Sequence, residues 1–372
     1  MSEGQPRGQL SGVPVVWSPD CLRHDPESEI WLGVRWPATE VAERVTEVVR
    51  ATTEAGADLL TVQDADLVAA LDRLADVHDP GLIRHLREVA GQWRAAGLPQ
   101  LSGQSRVVPY VFPTAGMLGG LPGREPFAVH ARAGLWCYDT MTLVGPGTWP
   151  AAHAAAAVSA RAAALVAGGA PLALAAVRPP GHHVTRSAYG GSCYLNNAAV
   201  AVAELRSAGA GRVAVVDIDA HHGNGTQQIF YRSADTFYGS VHVDPGAGWF
   251  PHYVGFADET GTGPGAGTNL NLPVAPGTGD DGWLAAVRLL VEAVDDFKPE
   301  VLVLSLGVDA EAGDPESPLE VTIEGYRQAG RLIGGLGPVV AVQEGGYRLE
   351  SIGPLIVATL DGLVSGPGTF PS

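Results

Sequence analysis

The stretch VAVVDIDAHHGNG (213–225) decides how this chain folds. Its first half is a near-continuous run of small and β-branched apolar residues, the pattern of a strand buried on both faces. Its second half turns abruptly polar, with two aspartates, two histidines and an asparagine. A buried strand ending in ionisable groups is what a parallel α/β sheet presents at its carboxyl edge, where ligands bind. Alternate residues of an extended segment share a face, so Asp217, Asp219 and His221 point the same way. Asp219 and His221 offer a carboxylate and an imidazole to a borderline metal such as zinc. One more carboxylate makes three ligands and leaves a position for water and substrate.

Working outward, six further apolar runs read as buried strands: VPVVW (13–17), DLLTV (58–62), LALAAV (172–177), TFYGSVHV (236–243), VLVLSLG (301–307) and VVAVQE (339–344). Helical patterns lie between several of them, at 38–55, 150–168, 195–209, 280–297, 322–335 and 351–364. The alternation predicts one α/β domain over 13–364, with a mostly parallel central sheet and helices on both faces. Residues 1–12 and 365–372 read as tails, and the Gly- and Pro-rich segment 98–134 as an elaborated loop.

The same sheet edge collects the other polar groups. Asp309 follows VLVLSLG and can be the third ligand. His182-His183 follows LALAAV through a Pro-Pro-Gly turn, and Glu344-Gly345-Gly346-Tyr347 follows the strand that begins at Val339. Neighbouring histidines cannot easily face one ion, so His182 and His183 read as a general acid/base pair, oriented by Asp217 and Asn224. Tyr347 after two glycines is a hydroxyl suited to polarising a carbonyl or holding an oxyanion. Six of the eleven histidines fall between residues 182 and 252, which sets these clusters apart from scattered structural histidines.

The net charge is −17, and Lys298 is the single lysine among 23 cationic residues. Such a surface repels phosphate backbones and anionic lipid, so nucleic-acid and membrane roles are not expected, whereas a cationic substrate is welcome. Cys21, Cys137 and Cys193 are too scattered for a CxxC pair or a disulfide framework, and the polar N-terminus lacks the apolar core of a signal peptide. Both features fit a reducing cytoplasm.

Five motifs occur in order: RPPGHH (178–183), GGSCYLNNAAVA (190–201), DIDAHHGNGTQQIFY (217–231), LSLGVDA (304–310) and EGGY (344–347). With PGTW (146–149), NLNLP (269–273) and LRH (22–24), they resemble the zinc-dependent histone deacetylase superfamily, and within it the bacterial acetylpolyamine amidohydrolases. The resemblance implies an arginase-like fold and hydrolysis of an acylated amine. It implies Asp219, His221 and Asp309 as ligands of one zinc ion, with iron(II) or cobalt(II) as substitutes. It further implies His182 and His183 as acid/base residues oriented by Asp217 and Asn224, and Tyr347 on the scissile carbonyl. A potassium ion would use Asp219, Ser240 and main-chain oxygens of Asp217, His221 and Val241. Relatives with an elaborated loop at 98–134 pair through it, which implies a homodimer.

Substrate contacts are expected at Gly191, Ser192, Phe250, His130 and Met141. The acidic residues that face a cationic tail in polyamine-selective relatives are replaced here by His130 and Met141. Ser192 stands where relatives carry an aromatic tunnel wall opposite Phe250, so either the tunnel is wide or Tyr189 or Trp249 fills the gap. Acetylated polyamines, acetyl-lysine in proteins and acylated secondary metabolites all remain candidate substrates. An arginase-type ureohydrolase needs a second metal-binding aspartate set that is missing, and a non-enzymatic small-molecule binder would have lost one of the tandem histidines or the tyrosine.

Overall fold

A computed structural model describes residues 8–366. In chain order the first elements are β1 (Pro14–Trp17), β2 (Ser28–Trp31), β3 (Val34–Pro37), α1 (Glu43–Glu54), β4 (Asp58–Thr61), α2 (Asp64–Val77) and α3 (Pro80–Ala95). Three short helices follow, α4 (Leu98–Ser102), α5 (Ala115–Leu118) and α6 (Val129–Trp136), and then α7 (Thr148–Ala167). The central elements are β5 (Leu172–Ala175), α8 (Asn197–Ser207), β6 (Val213–Asp217), α9 (Asn224–Phe230), β7 (Thr236–Val243) and β8 (Asn269–Val274). The last are α10 (Asp280–Phe297), β9 (Val301–Leu306), α11 (Ile323–Gly334), β10 (Val339–Gln343) and α12 (Leu349–Ser365).

Eight strands form one sheet in the order β4-β1-β5-β10-β9-β6-β7-β8, and every pairing in it is parallel. β5, β6, β9 and β10 are buried along their whole length, which is why their sequences are continuously apolar. Helices α7 and α8 pack on each other and against central strands, while α1, α12, α11 and α10 form the second helical layer. Helix α7 is long and apolar enough to cross a bilayer by length and composition, but 67% of that window is buried inside the fold. Its alanines permit close approach to α8 and the sheet.

Three readings from sequence need correction. Residues 8–12 are not a free tail: Leu10 is fully buried, and its N–H donates to Ala55 O at 3.0 Å. Ser365 is the last residue of α12 rather than the start of a tail, and residues 1–7 and 367–372, the rest of the two expected tails, lie outside the described residues. The segment 98–134 carries α4, α5 and the start of α6, and Val107 pairs with Val144. Two helices, α2 and α3, were not expected at all, nor were the edge strand β8 and the antiparallel β2–β3 hairpin.

β5 and β6 are successive sheet strands in sequence, yet β10 and β9 lie between them. That reversal of strand order opens a crevice at the carboxyl ends of the four central strands.

Candidate active site

Strand register brings the polar groups together. Asp217 ends β6 opposite Ser305 of β9 on one side and Ser240 of β7 on the other, and Gln343 of β10 lies opposite Leu306. The residues just past these ends meet over the sheet edge. Ligand atoms of Asp219, His221 and Asp309 all lie within 4.8 Å of one another. His221 Nδ1 is 3.1 Å from Asp309 Oδ2 and 3.4 Å from Asp219 Oδ1. Main-chain donors orient both carboxylates: Ala220 N–H bonds Asp309 Oδ1 at 2.8 Å, and Gly345 N–H bonds Asp219 Oδ2 at 2.7 Å. A Cβ on Gly345 would collide with oxygens of both aspartates, so only glycine lets that backbone approach. Two buried carboxylates and an imidazole this close are a donor set that fits a divalent ion.

The tandem histidines stand beside this cluster with their rings 4.0 Å apart. His182 Nδ1 donates to Asp217 Oδ2 at 3.1 Å, and His183 Nδ1 to Asn224 Oδ1 at 2.8 Å. Their environments diverge. Burial disfavours charge on His182, but the Asp219 and Asp217 carboxylates outweigh it and raise its pKa. On His183 burial acts together with the nearby His182 and His221 and lowers the pKa well below the ordinary value.

Tyr347 faces the same cavity as His183 and His221. Its ring lies under the guanidinium of Arg44, with Cζ 4.5 Å from the ring centroid. Burial keeps the phenol pKa well above its ordinary value despite that cation, so the hydroxyl remains a donor. The cavity is narrow, about 60 Å³, and Gly191, Ser192, Phe250 and Met141 line it. An adjoining cleft of about 470 Å³ shares Met141 and Phe250 and is lined further by Trp31, Leu32, Phe112 and Tyr253.

Ser192 has a left-handed backbone, φ +59°, and follows Gly191 at φ +60°, where a Cβ would strike the His183 ring and Phe250. Neither aromatic that could fill the place of a ring at Ser192 does so. Tyr189 is buried against His85 and Tyr194, with ring centroids 6.0 and 5.8 Å away, and Trp249 packs on the core. His130 lines neither cavity: it is exposed on α6, its ring 5.8 Å from Tyr110. Glu125, close to it in sequence, pairs with Arg84 and Arg132 instead.

Other groups here were not among the expected site residues. Tyr138 stacks on Phe250 at 6.3 Å and donates its hydroxyl to His183 O at 2.9 Å. The Asp139 carboxylate accepts from Gly191 N–H at 2.6 Å and from Thr142 N–H at 2.9 Å, which fixes the Gly191–Ser192 wall. Glu29, Thr39 and Glu316 complete the lining, Glu29 from the β2–β3 hairpin, Thr39 just after it and Glu316 from the loop after Asp309. Burial and the neighbouring Glu316 raise the Glu29 pKa to about 7.

The family model described as "Histone deacetylase domain" matches residues 38–363. The chain belongs to the histone deacetylase domain family. It is accordingly an amide-bond hydrolase of the metal-dependent type. An acetylpolyamine amidohydrolase of Mycoplana ramosa is 36% identical to this family member over 354 residues, 94% of this chain and 99% of that protein. One from Burkholderia pseudomallei is 39% identical over 342 residues, 91% of this chain and 95% of that one. A crystal structure of an acetylpolyamine aminohydrolase from Burkholderia pseudomallei superposes with a TM-score of 0.87 at 37% identity, covering 95% of this chain and 99% of that one.

Proposed function

We propose that this deacetylase-family enzyme removes the acetyl group from an acetylated polyamine, with zinc held by Asp219, His221 and Asp309. The observation that carries the substrate reading is the pair Glu29 and Glu316. Both line the cavity that contains Tyr347 and His183, and among the described residues neither has a cationic partner. Two uncompensated carboxylates facing one cavity favour a ligand that brings positive charge. The relatives named above act on acetylpolyamines, and the acidic surface favours the same class.

When bound, the zinc ion supplies Lewis acidity that polarises the amide carbonyl and acidifies a water. The chain's own residues do the rest. Tyr347 donates its hydroxyl to the carbonyl oxygen and stabilises the developing oxyanion. His183, held by Asn224 with its proton on Nδ1, takes the water's proton at Nε2. His182, paired with Asp217, carries positive charge that favours the oxyanion, and a protonated histidine releases its proton to the departing amine. Gly191, Ser192, Phe250 and Met141 hold the methylenes next to the amide, and the wider cleft receives the remainder of the amine. A potassium ion suits Asp219, Ser240 and the main-chain oxygens of Asp217, His221 and Val241. Asp217, Asp219 and Ser240 are buried, and an all-oxygen donor set fits a hard cation.

We also propose a homodimer through the segment 98–134, on which Leu101, Tyr110, Met117, Leu121 and Phe127 are exposed. A monomer by light scattering at micromolar concentration would refute the dimer.

The substrate reading is tested by comparing acetylputrescine and acetylspermidine with acetyl-lysine peptides on the zinc-loaded enzyme and on Glu29→Gln and Glu316→Gln. Higher kcat/KM for the polyamines, lost in the variants, is the expected result. A preference for peptides that the variants leave intact would assign the enzyme to protein substrates.

A further inference from the structure

We propose that Glu344 is a positioning residue that holds the tandem-histidine turn in register with the metal-ligand strand. Glu344 follows β10, and its own N–H donates to Leu306 O at 3.0 Å, which anchors its backbone to β9. The side chain is fully buried. One carboxylate oxygen, Oε2, accepts from Gly181 N–H at 2.7 Å and from His182 N–H at 3.1 Å. The Ser305 hydroxyl lies 3.3 Å from the other oxygen. A buried carboxylate is costly unless its oxygens are satisfied, and here the donors belong to the turn that presents the histidines and to the strand beside it.

The residues after Glu344 extend the same grip. Gly345 N–H bonds the carboxylate of Asp219 at 2.7 Å, and Tyr347 reaches the cavity two residues later. One four-residue segment therefore touches the histidine turn through a side chain, touches a metal ligand through a main-chain amide, and carries the catalytic hydroxyl. Its Glu344 carboxylate is the part that sets the distance between the proton-transfer pair and the ligands. A misplacement of about 1 Å in such an arrangement costs on the order of a hundred-fold in rate.

These contacts call for an acceptor at one place rather than for a charge. Glutamine can present an oxygen to both amides and turn its NH₂ toward Ser305, whose hydroxyl accepts as well as donates. Aspartate keeps the charge but withdraws it by one methylene, out of reach of the two amides.

The proposal rests on the hydrolase reading of the site, and the experiment separates the two. Full-length wild type, Glu344→Gln and Glu344→Asp are loaded with zinc, and kcat, KM for acetylputrescine and bound metal are measured for each. Hydrogen exchange at the Gly181 and His182 amides is followed in the same proteins without substrate. We expect Glu344→Asp to lose about thirty-fold or more in kcat with KM and metal content near wild type, and to exchange at these amides at least about ten-fold faster. Glu344→Gln should stay within about five-fold in kcat and keep the protected amides. Glutamine as damaging as aspartate, aspartate with wild-type kcat, or unchanged exchange in Glu344→Asp would each overturn the proposal. Should the wild type hydrolyse no acetylated amine, the functional reading falls, while the exchange comparison still decides whether Glu344 holds the turn.

Discussion

Nδ1 of His183 donates to the side-chain oxygen of Asn224 across 2.8 Å. An amide oxygen only accepts, so this bond keeps the proton on Nδ1 and leaves the Nε2 lone pair free. The adjacent His182 has a carboxylate, Asp217, in the corresponding place at 3.1 Å, and a carboxylate tolerates an imidazolium. Unlike partners thus divide two neighbouring histidines into a proton acceptor and a cation.

His183→Ala should lower kcat by about 10²–10⁴ with folding and metal content intact. Asn224→Ala should cost less, about ten- to a hundred-fold, because the ring survives but its tautomer is no longer held. Single-turnover kinetics decide this, and unchanged rates in both variants would move proton abstraction to another group.

Asp219→Ala and Asp309→Ala should each lose the bound divalent ion and the activity together, and chelation should silence the wild type. Elemental analysis beside turnover checks this. Full hydrolysis by metal-free protein would remove the metal from the reaction.

Tyr347→Phe should slow turnover by about 10²–10³, the cost of one lost oxyanion donor, with KM little changed. The phenol is raised well above its ordinary pKa, chiefly by burial, so no alkaline limb from its ionisation should appear in the wild-type profile below pH 9. An unaltered kcat would reduce Tyr347 to a packing residue.

Ser192→Phe should tighten thin, linear amides by about ten-fold, the worth of 1–2 kcal/mol of buried ring surface, and exclude bulky or branched amines. The substrate ranking is the measurement. A ranking that stays as in the wild type would place selectivity elsewhere in the lining, at Met141 or the two glutamates.

Glu29 should make recognition of cations depend on pH. Its carboxyl is raised to about 7 by burial and by Glu316, so it is protonated below that pH and anionic above it. KM for an acetylated polyamine should therefore fall as pH rises through about 7, while KM for an uncharged acetamide stays level. Glu29→Gln should flatten the polyamine curve, and a slope that persists in the variant assigns the effect to another group.

The central strands were legible in the sequence because burial on both faces leaves an unbroken apolar run, as in VAVV at 213–216 and VLVL at 301–304. β8 escaped because an edge strand reads differently: NLNLPV alternates with buried asparagines and contains a proline. The exposed hairpin of β2 and β3 offers no such run either. The same contrast holds in the site. Asp219, His221, Asp309 and the tandem histidines sit at strand ends and announce themselves by type and spacing. Glu29 reaches the cavity from a hairpin near the N-terminus and Glu316 from a turn, Tyr138 reaches the adjoining cleft from a loop, and only tertiary packing brings them there. His130, expected from the resemblance to polyamine-selective relatives, stands exposed on α6 beside Tyr110 and lines neither cavity.

The sheet order has a consequence for biosynthesis. β5 and β6 are made early but do not touch; β9 and β10, made more than eighty residues after the end of β6, must slide between them. Until then each growing chain on the ribosome carries two unpaired apolar strand edges and an incomplete set of the proposed ion-binding side chains. Such edges are sites for chaperone capture or misassociation. With Asp309 among the proposed ligands, metal acquisition is a late event, completed only after Asp309 has emerged and its strand has found its slot.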